Sequence, residues 1–202
     1  TKIEYKLSEE EFKSFRDNEA KLSLSKHLHN SLGFIQGLLI PLSFASAHQS
    51  IRQRTWNHSL ENIYDAVERG EIVVPPSIKK SEFRYEFESQ CKRMIELYKE
   101  LVKKGYPKKE AILFIPHALQ IYEIIEINGW NAFERISKRV CTKAQWEIRS
   151  KAWEIVSLLK KESPELAKYL GPPCYTYGAC PEKNPCDKKE LYLAKRKRLL
   201  GK

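Results

Sequence analysis

The sequence predicts an α+β fold, a helix-rich single domain with a small sheet, followed by a cysteine-rich segment and a basic tail. The chain has 202 residues, 42% of them apolar, which is enough for one domain with a sizeable core. Apolar residues recur at helical spacing over long stretches, while two short apolar runs that contain or end in proline are typical of strands. After Gly171 the composition shifts to proline, glycine and cysteine. We therefore place the domain at 1–170 and the appended segment at 171–202.

The elements before residue 60 are predicted as a helix, a strand or bend, and a second helix. Residues 8–28 begin with a serine and acidic residues, which favour a helix start because carboxylates interact well with the N-terminal dipole. Pro41 interrupts the apolar run 33–47, which predicts a short strand or a bend. The next helix is predicted from Ala47 to Trp56.

The following segment is predicted as a helix and then a strand. The helix runs from Ser59 to Arg69, and Gly70 is expected to end it because glycine readily adopts the left-handed C-cap conformation. Residues 71–78 then form a strand-like apolar run that two prolines stop.

From Ser81 to Lys104-Gly105 the pattern predicts a long helix with one buried stripe. The expected stripe is Phe83, Phe87, Met94, Leu97, Tyr98 and Leu101. Tyr106-Pro107 should open the next helix, and the apolar run 109–127 is predicted as core.

The carboxyl-terminal part is predicted to contain a last long helix and a helical tail. The long helix covers 143–161, and Lys160 and Lys161 suit its end because cations interact well with the C-terminal dipole. The basic stretch ELYLAKRKRLLGK is predicted to be helical as well.

Composition narrows the classes of function. A net charge of +10 and a pI near 9.3 favour anionic ligands such as nucleotides, phosphorylated cofactors or nucleic acid. No run of 18 apolar residues is present, so a membrane span is not expected. The start of the chain does not read as a secretory signal, which favours a cytoplasmic protein with reduced thiols.

Four of the five cysteines suggest a metal site. Cys174, Cys180 and Cys186 follow a C-x5-C-x5-C spacing in a proline-rich loop, and Cys141 lies at the predicted start of the long helix. Such a set can supply thiolates to zinc or to an iron–sulfur cluster. Free thiols or a disulfide are the alternatives. Cys91, within an amphipathic helix, is expected to be buried and inert.

Five segments in order resemble the flavin-dependent thymidylate synthase family. They are HNS (29–31), AHQSIRQR (47–54), EIVVPPSI (71–78), KGYPKKEAILFIP (104–116) and RVCTKAQWEIR (139–149). The resemblance covers about 27–161, and AQWEI is its most specific block. It implies a helix-rich domain with a small central sheet and FAD as cofactor. It also implies reductive methylation of dUMP to dTMP, with methylene-tetrahydrofolate giving the carbon, NADPH reducing the flavin, and a homotetramer whose FAD sites lie between subunits.

The resemblance also implies roles for individual residues. Arg139 would be the catalytic residue, binding the pyrimidine and orienting the nucleotide beside the flavin, and Gln49 and Arg52 would contact the dUMP. The residues expected to contact the flavin are Ser31, Gln53, Arg54 and Asn128. Arginines suit these roles because a guanidinium binds phosphate and carbonyl oxygens bidentately. The alternative is that Arg52 and Arg54 are solvated or ion-paired surface groups.

The chain departs from the family pattern in the nucleotide half of the motif. Leu60 stands at an acidic position, and Tyr64 and Ile112 stand where the family has arginines that bind the nucleotide. Each lost arginine would remove a charge-assisted hydrogen bond worth about 1.5–3 kcal/mol. Lysines that could substitute are Lys79, Lys80 and Lys109.

These departures leave three alternatives to a dUMP-specific synthase. One is a flavin-binding relative that acts on another pyrimidine nucleotide or on a base in RNA, and another is an inactive paralogue. The last, a helical nucleic-acid-binding protein, rests on the charge of +10 and the basic tail. No recognised nucleic-acid-binding motif supports it.

Overall fold

The fold contains one sheet of four strands, and helices make up most of the regular structure in the rest of the described chain. The computed structural model describes residues 2–3, 34–52, 54, 56–128, 132–162 and 164–201. The strands are β1 (Lys2–Ile3), β2 (Phe34–Ser43), β3 (Asn57–Leu60) and β4 (Gln120–Asn128). Their order in the sheet is β1-β2-β4-β3. The predicted helix-rich α+β class with a small sheet is confirmed. The predicted helix at 8–28 lies outside the described residues.

Ten α-helices are found in the described part of the chain. They are α1 (Phe44–Ser50), α2 (Ile63–Arg69), α3 (Pro76–Lys79), α4 (Arg84–Lys103), α5 (Lys108–Ala111), α6 (Ser137–Arg139), α7 (Trp146–Glu162), α8 (Pro164–Ala167), α9 (Pro173–Thr176) and α10 (Lys189–Leu200). A 3₁₀ turn follows α5 at Ile112–Phe114, and a π-helical turn precedes α6 at Ala132–Ile136.

Strand β2 continues through Pro41. The sequence had predicted either a short strand or a bend at this position. It pairs antiparallel with β1 through Lys2↔Gln36 and Ile3↔Ile35. Because β1 reaches only residues 35 and 36 of β2, Pro41 removes no hydrogen bond to β1, and the missing N–H is tolerated.

Helix ends agree better with the predictions than strand positions do. Gly70 ends α2 in the left-handed conformation, with φ of 70°, as expected. The helix begins only at Ile63, because Ser59 belongs to β3. The predicted strand at 71–78 is limited to one isolated bridge, Ile72↔Leu119, and the short helix α3 follows it.

The long helix α4 forms close to its predicted place, but the buried stripe differs from the prediction. Phe83, Met94 and Leu97 are exposed, whereas Cys91, Ile95 and Tyr98 are the buried residues of the helix. Cys91 is therefore buried as expected, and burial raises the pKa of its thiol. Tyr98 is buried as predicted and Leu101 packs against the core, so the helical period and part of the stripe are confirmed, and Phe83, Met94 and Leu97 were wrong.

Contacts divide the described residues into two compact units. One contains residues of 1–38, 53–57 and 125–202, and the other contains 39–52 and 58–124. The second unit has an apolar core around α2, α4 and the chain from 111 to 121. In the first, α7 buries one face that includes Ile148, Ile155 and Leu159. The predicted division at 170/171 stays a prediction.

No helix within the described ranges is both long and apolar enough to cross a membrane.

Candidate active site

Helix α1 positions two of the predicted nucleotide-binding residues in the second unit. Ser43 caps the helix by accepting a hydrogen bond from the Ser46 amide at 3.1 Å, and the Phe44 amide donates to the Leu119 carbonyl at 2.8 Å. The helix start is therefore fixed to the chain that leads into β4. Gln49 lies in the last turn of α1, and Arg52 follows shortly after the helix ends. These two residues share one local framework, as the family resemblance requires.

Arg52 and Arg54 are both exposed, and neither forms an ion pair with any residue that the structure describes. The alternative in which they neutralise nearby carboxylates is therefore not observed in this part of the chain. An unpaired guanidinium keeps all its N–H donors for an anionic ligand. The donor chemistry thus fits the phosphates of a flavin dinucleotide or a nucleotide.

Residues 139–149 form a helix start held by its own side chains. The Gln145 side-chain oxygen accepts hydrogen bonds from the amides of Glu147 at 2.8 Å and Ile148 at 3.0 Å, and so caps α7. Arg149 reaches back to donate to the Thr142 carbonyl at 2.7 Å. The AQWEIR sequence therefore fixes both the helix end and the turn that precedes it.

Arg139 is the last residue of α6, directly before this turn. Its side chain is partly buried and has an interaction partner. A turn held by the Arg149–Thr142 hydrogen bond follows it, and a π-helical turn precedes α6. The local structure is thus suited to present one arginine in a fixed position.

The remaining predicted flavin contacts are placed only in part. Asn128 is the last residue of β4, in the same unit as Arg54 and Arg139. Ser31 and Gln53 lie outside the described residues. Gln49 and Arg52 belong to the other unit, so the structure groups the predicted residues into two sets.

The positions that depart from the family pattern carry no replacement charge of their own. Ile112 and Tyr64 are partly buried and pack against the apolar core of the second unit, and Leu60 is exposed. The Lys108 ammonium lies 5.8 Å from the centroid of the Tyr64 ring. Lys108 was missed by sequence reasoning, which named other lysines. Its position directly after Pro107, at the start of α5, was the available signal.

A buried polar pair joins β3 to β4 and was also missed. Nδ1 of His58 lies 2.6 Å from Oε1 of Glu123, whose side chain is 0% exposed. The second oxygen of Glu123 has no hydrogen-bond partner among the residues described. Because His58 falls between two predicted helices and Glu123 within a run predicted only as apolar core, the sequence could not place them on neighbouring strands.

The four cysteines proposed as metal ligands do not form a metal site in the structure. In the described part of the chain, no three histidine, cysteine or acidic side chains are arranged to hold a metal ion. Cys141, Cys174, Cys180 and Cys186 are free thiols. Zinc or an iron–sulfur cluster at these positions is therefore not supported.

Protein groups hold the cysteine-rich segment instead. Arg196 of α10 donates to the carbonyl of Tyr175 at 3.0 Å and to that of Thr176. The Thr176 hydroxyl in turn donates to the Gly171 carbonyl at 2.8 Å. Cys174 is buried, and this burial raises the pKa of its thiol. The nearby Cys180 and Cys141 raise the pKa of Cys174 further. The segment is thus ordered by hydrogen bonds and burial, which the composition alone did not reveal.

The fold and this site define a helix-rich α+β protein with an arginine-presenting turn, and comparison with known proteins gives its family. Residues 36–165 match the family model described as thymidylate synthase complementing protein. The chain belongs to this family.

Several similar proteins are named flavin-dependent thymidylate synthases. A flavin-dependent thymidylate synthase of Geobacter sulfurreducens is 33% identical over 184 residues, covering 88% of this chain and 77% of the relative. One of Pyrococcus furiosus is 28% identical over 197 residues, covering 88% and 79%. One of Saccharolobus solfataricus is 30% identical over 136 residues, covering 66% of this chain but only 52% of the relative.

Proposed function

We propose that this protein is a flavin-dependent thymidylate synthase that converts dUMP to dTMP. The observation that carries the proposal is the family match over 36–165, which contains Gln49, Arg52, Arg54 and the Arg139 turn. When bound, FAD would supply the redox chemistry, with NADPH as reductant and methylene-tetrahydrofolate as the carbon source. The protein's own part is to bind and orient these groups.

Each predicted residue has a role in that orientation. We expect Arg139 to hold the pyrimidine, and Gln49 and Arg52 to bind the rest of the dUMP. The residues proposed to contact the flavin are Ser31, Gln53, Arg54 and Asn128. Arg52 and Arg54 are exposed and form no ion pair with a described residue, which supports their roles. The role of Arg139 is supported by the turn that follows it, which ends in the capped start of α7.

The decisive experiment follows the flavin. Purified full-length protein should show a flavin spectrum, be bleached by NADPH, and be reoxidised faster when dUMP and methylene-tetrahydrofolate are added, with dTMP as product. Arg139→Ala should lower the apparent affinity for dUMP by about 10- to 100-fold, the cost of one charge-assisted hydrogen bond. Its circular dichroism should be unchanged.

Lys138→Ala is the matched control, because Lys138 is the neighbouring base on α6 and its ammonium pairs with Glu134 at 3.2 Å. It should leave the dUMP response intact. If millimolar dUMP changes neither the flavin spectrum nor its reoxidation in the unmodified protein, the assignment as a thymidylate synthase is wrong.

A second candidate, a flavin-binding relative with a different pyrimidine substrate, is favoured by one observation. Ile112 and Tyr64 pack on the core instead of presenting the guanidinium groups of the family pattern. A panel of pyrimidine nucleotides in the same reoxidation assay separates the two candidates. A response to another nucleotide without a response to dUMP supports the relative, and a flavin spectrum that no nucleotide alters supports an inactive paralogue.

We also propose a homotetramer, which the family resemblance implies. Sedimentation equilibrium should then give four times the 23.7 kDa of one chain, and a monomer mass would contradict it.

A further inference from the structure

A cavity of about 370 Å³ lies within the first unit. Its walls come from α7, from the chain at 167–171, from α9 and from α10. This volume is within the range of small-molecule sites in proteins, which are usually apolar with a few polar groups. None of Gln49, Arg52, Arg54, Asn128 and Arg139 lines it.

Three lysines, Lys160, Lys168 and Lys195, line this cavity, and no carboxylate is among its described lining residues. Lys160 and Lys195 are exposed, and neither forms an ion pair with a residue in the described ranges. Like charges around one space repel each other, so the site is electrostatically favourable for an anion. Lysine ammonium groups bind phosphate well as point charges.

Aromatic side chains supply the apolar part. Trp153 and Tyr192 line the cavity, and the Lys195 ammonium lies 5.6 Å from the centroid of the Tyr192 ring. Burial raises the pKa of Tyr192, so its hydroxyl stays a neutral donor at pH 7. That hydroxyl makes no hydrogen bond to any residue in the described part of the chain. A planar ring stacks favourably on such side chains.

Contacts between Tyr175 and the chain at 168–171 fix another part of the cavity wall. The Tyr175 hydroxyl donates to the Lys168 carbonyl at 2.6 Å, and its ring lies directly against Gly171. A Cβ added at Gly171 would come within 2.4 Å of Tyr175 Cδ1, so the close approach requires glycine. The cavity is therefore bordered by a fixed contact as well as by mobile lysine side chains.

We propose that this cavity binds a nucleotide, with the base against Trp153 and Tyr192 and the phosphate near Lys160 and Lys195. Cations alone would suit any anion, and aromatic rings alone any flat apolar molecule. A ligand that combines a planar ring with a phosphate satisfies both sets. The proposal does not depend on the proposed synthase activity, because it uses none of the residues assigned to that activity.

Isothermal titration calorimetry on the full chain tests the proposal, with AMP as probe and adenosine and inorganic phosphate as partial probes. AMP should bind more tightly than either partial probe. Lys160→Gln combined with Lys195→Gln should weaken AMP binding by about 10- to 100-fold, the cost of losing charged hydrogen-bond partners. Trp153→Leu should weaken it independently.

The matched control is Lys161→Gln combined with Lys197→Gln, which removes the same charge from neighbouring positions of α7 and α10 that do not line the cavity. AMP affinity should stay unchanged there and in Arg139→Ala.

The proposal is overturned if AMP gives no heat at millimolar concentration, or if the cavity variants bind it as well as the unmodified protein. It is also overturned if inorganic phosphate binds as tightly as AMP, because the rings then contribute nothing. Loss of AMP binding in Arg139→Ala instead of the lysine pair would place the ligand in the synthase site.

Discussion

At the scale of single residues, Gln145 shows how a family signature can act on the backbone. Its side-chain oxygen accepts two of the amide groups that the first turn of α7 leaves without partners. The neighbouring Arg149 fixes the Thr142 carbonyl in the preceding turn. Both contacts fix the chain that directly follows Arg139.

Gln145→Ala should lower the free energy of unfolding by about 1–2 kcal/mol, the usual cost of losing an N-cap. Gln145→Asn should retain much of the stability, since asparagine also caps well. Chemical denaturation measures both. Lys143→Ala, at an exposed position of the same turn, is the control and should change little. Equal losses in the alanine variants at 143 and 145 would contradict the capping role.

The thiols should differ in reactivity because their pKa values move in opposite directions. The nearby Thr142 hydroxyl lowers the pKa of Cys186, whereas burial raises those of Cys91 and Cys174. Since the thiolate is the reactive form, iodoacetamide near pH 8 should modify Cys186 first, as mass spectrometry would show. Thr142→Val should slow that reaction. Faster labelling of Cys174 than of Cys186 would refute the assignment.

At the scale of elements, Arg69 connects α2 to β4. It pairs with Glu61 and with Glu71 at 2.9 Å, donates to the Gln120 carbonyl at 2.7 Å, and lies 4.5 Å from the centroid of the Tyr122 ring. Glu61 in turn accepts from the Tyr122 amide at 3.0 Å. One guanidinium on α2 therefore satisfies carboxylates from two loops and a carbonyl of β4.

Arg69→Ala should lower the free energy of unfolding by about 2–3 kcal/mol, because it leaves Glu61 without its charged partner. Arg84→Ala is the contrast: its pair with Glu88 is a helix-surface contact at 2.9 Å, and solvent screening leaves such a pair little effect on stability. Urea unfolding of the two variants side by side gives the comparison. A similar loss in both would show that the Arg69 network adds nothing beyond a surface ion pair.

The elements also show which features a sequence can predict. Helix α7, the end of α2 at Gly70 and the end of α4 near Lys104 were predicted because period and caps are local properties. Strand β4 was missed because a continuous apolar run has no period that separates a buried strand from a helix. β3 was missed because its pairing depends on a partner more than sixty residues away.

In the candidate site, too, local features could be predicted from the sequence and features that depend on packing could not. Arg139 and its turn could be predicted because their motif is contiguous in the chain. For Lys108 the sequence offered only its position after Pro107, because its proximity to Tyr64 depends on how α5 packs. The cavity lined by Trp153 and Lys195 could not be predicted, because its lining residues are brought together only by packing.

At the scale of the whole molecule, buried thiols make stability depend on pH in the alkaline range. The pKa of Cys91 is raised above its ordinary value of 9.0 by burial, so the folded state favours the neutral thiol. The resulting stability is complete below pH 9 and is lost as the pH rises from there through the folded-state pKa. Cys174 acts in the same direction.

The free energy of unfolding should therefore fall as the pH rises above 9, and Cys91→Ala should make that fall shallower. Comparing denaturation curves of the unmodified protein and Cys91→Ala at each pH separates two contributions. The space that the substitution leaves in the core lowers stability equally at every pH, whereas the loss of the thiol changes only the pH dependence. An unchanged slope in Cys91→Ala would mean that the Cys91 thiolate does not limit alkaline stability.

The contacts of Gln145 have a practical consequence for screening variants of this protein. Gln145 binds only backbone groups of its own helix in the contacts described, yet an assay of turnover alone would score its loss as a catalytic defect. Measuring the amount of folded protein beside turnover separates the two causes. Variants at 145 should lose both in proportion, whereas those at Arg139 should lose turnover alone.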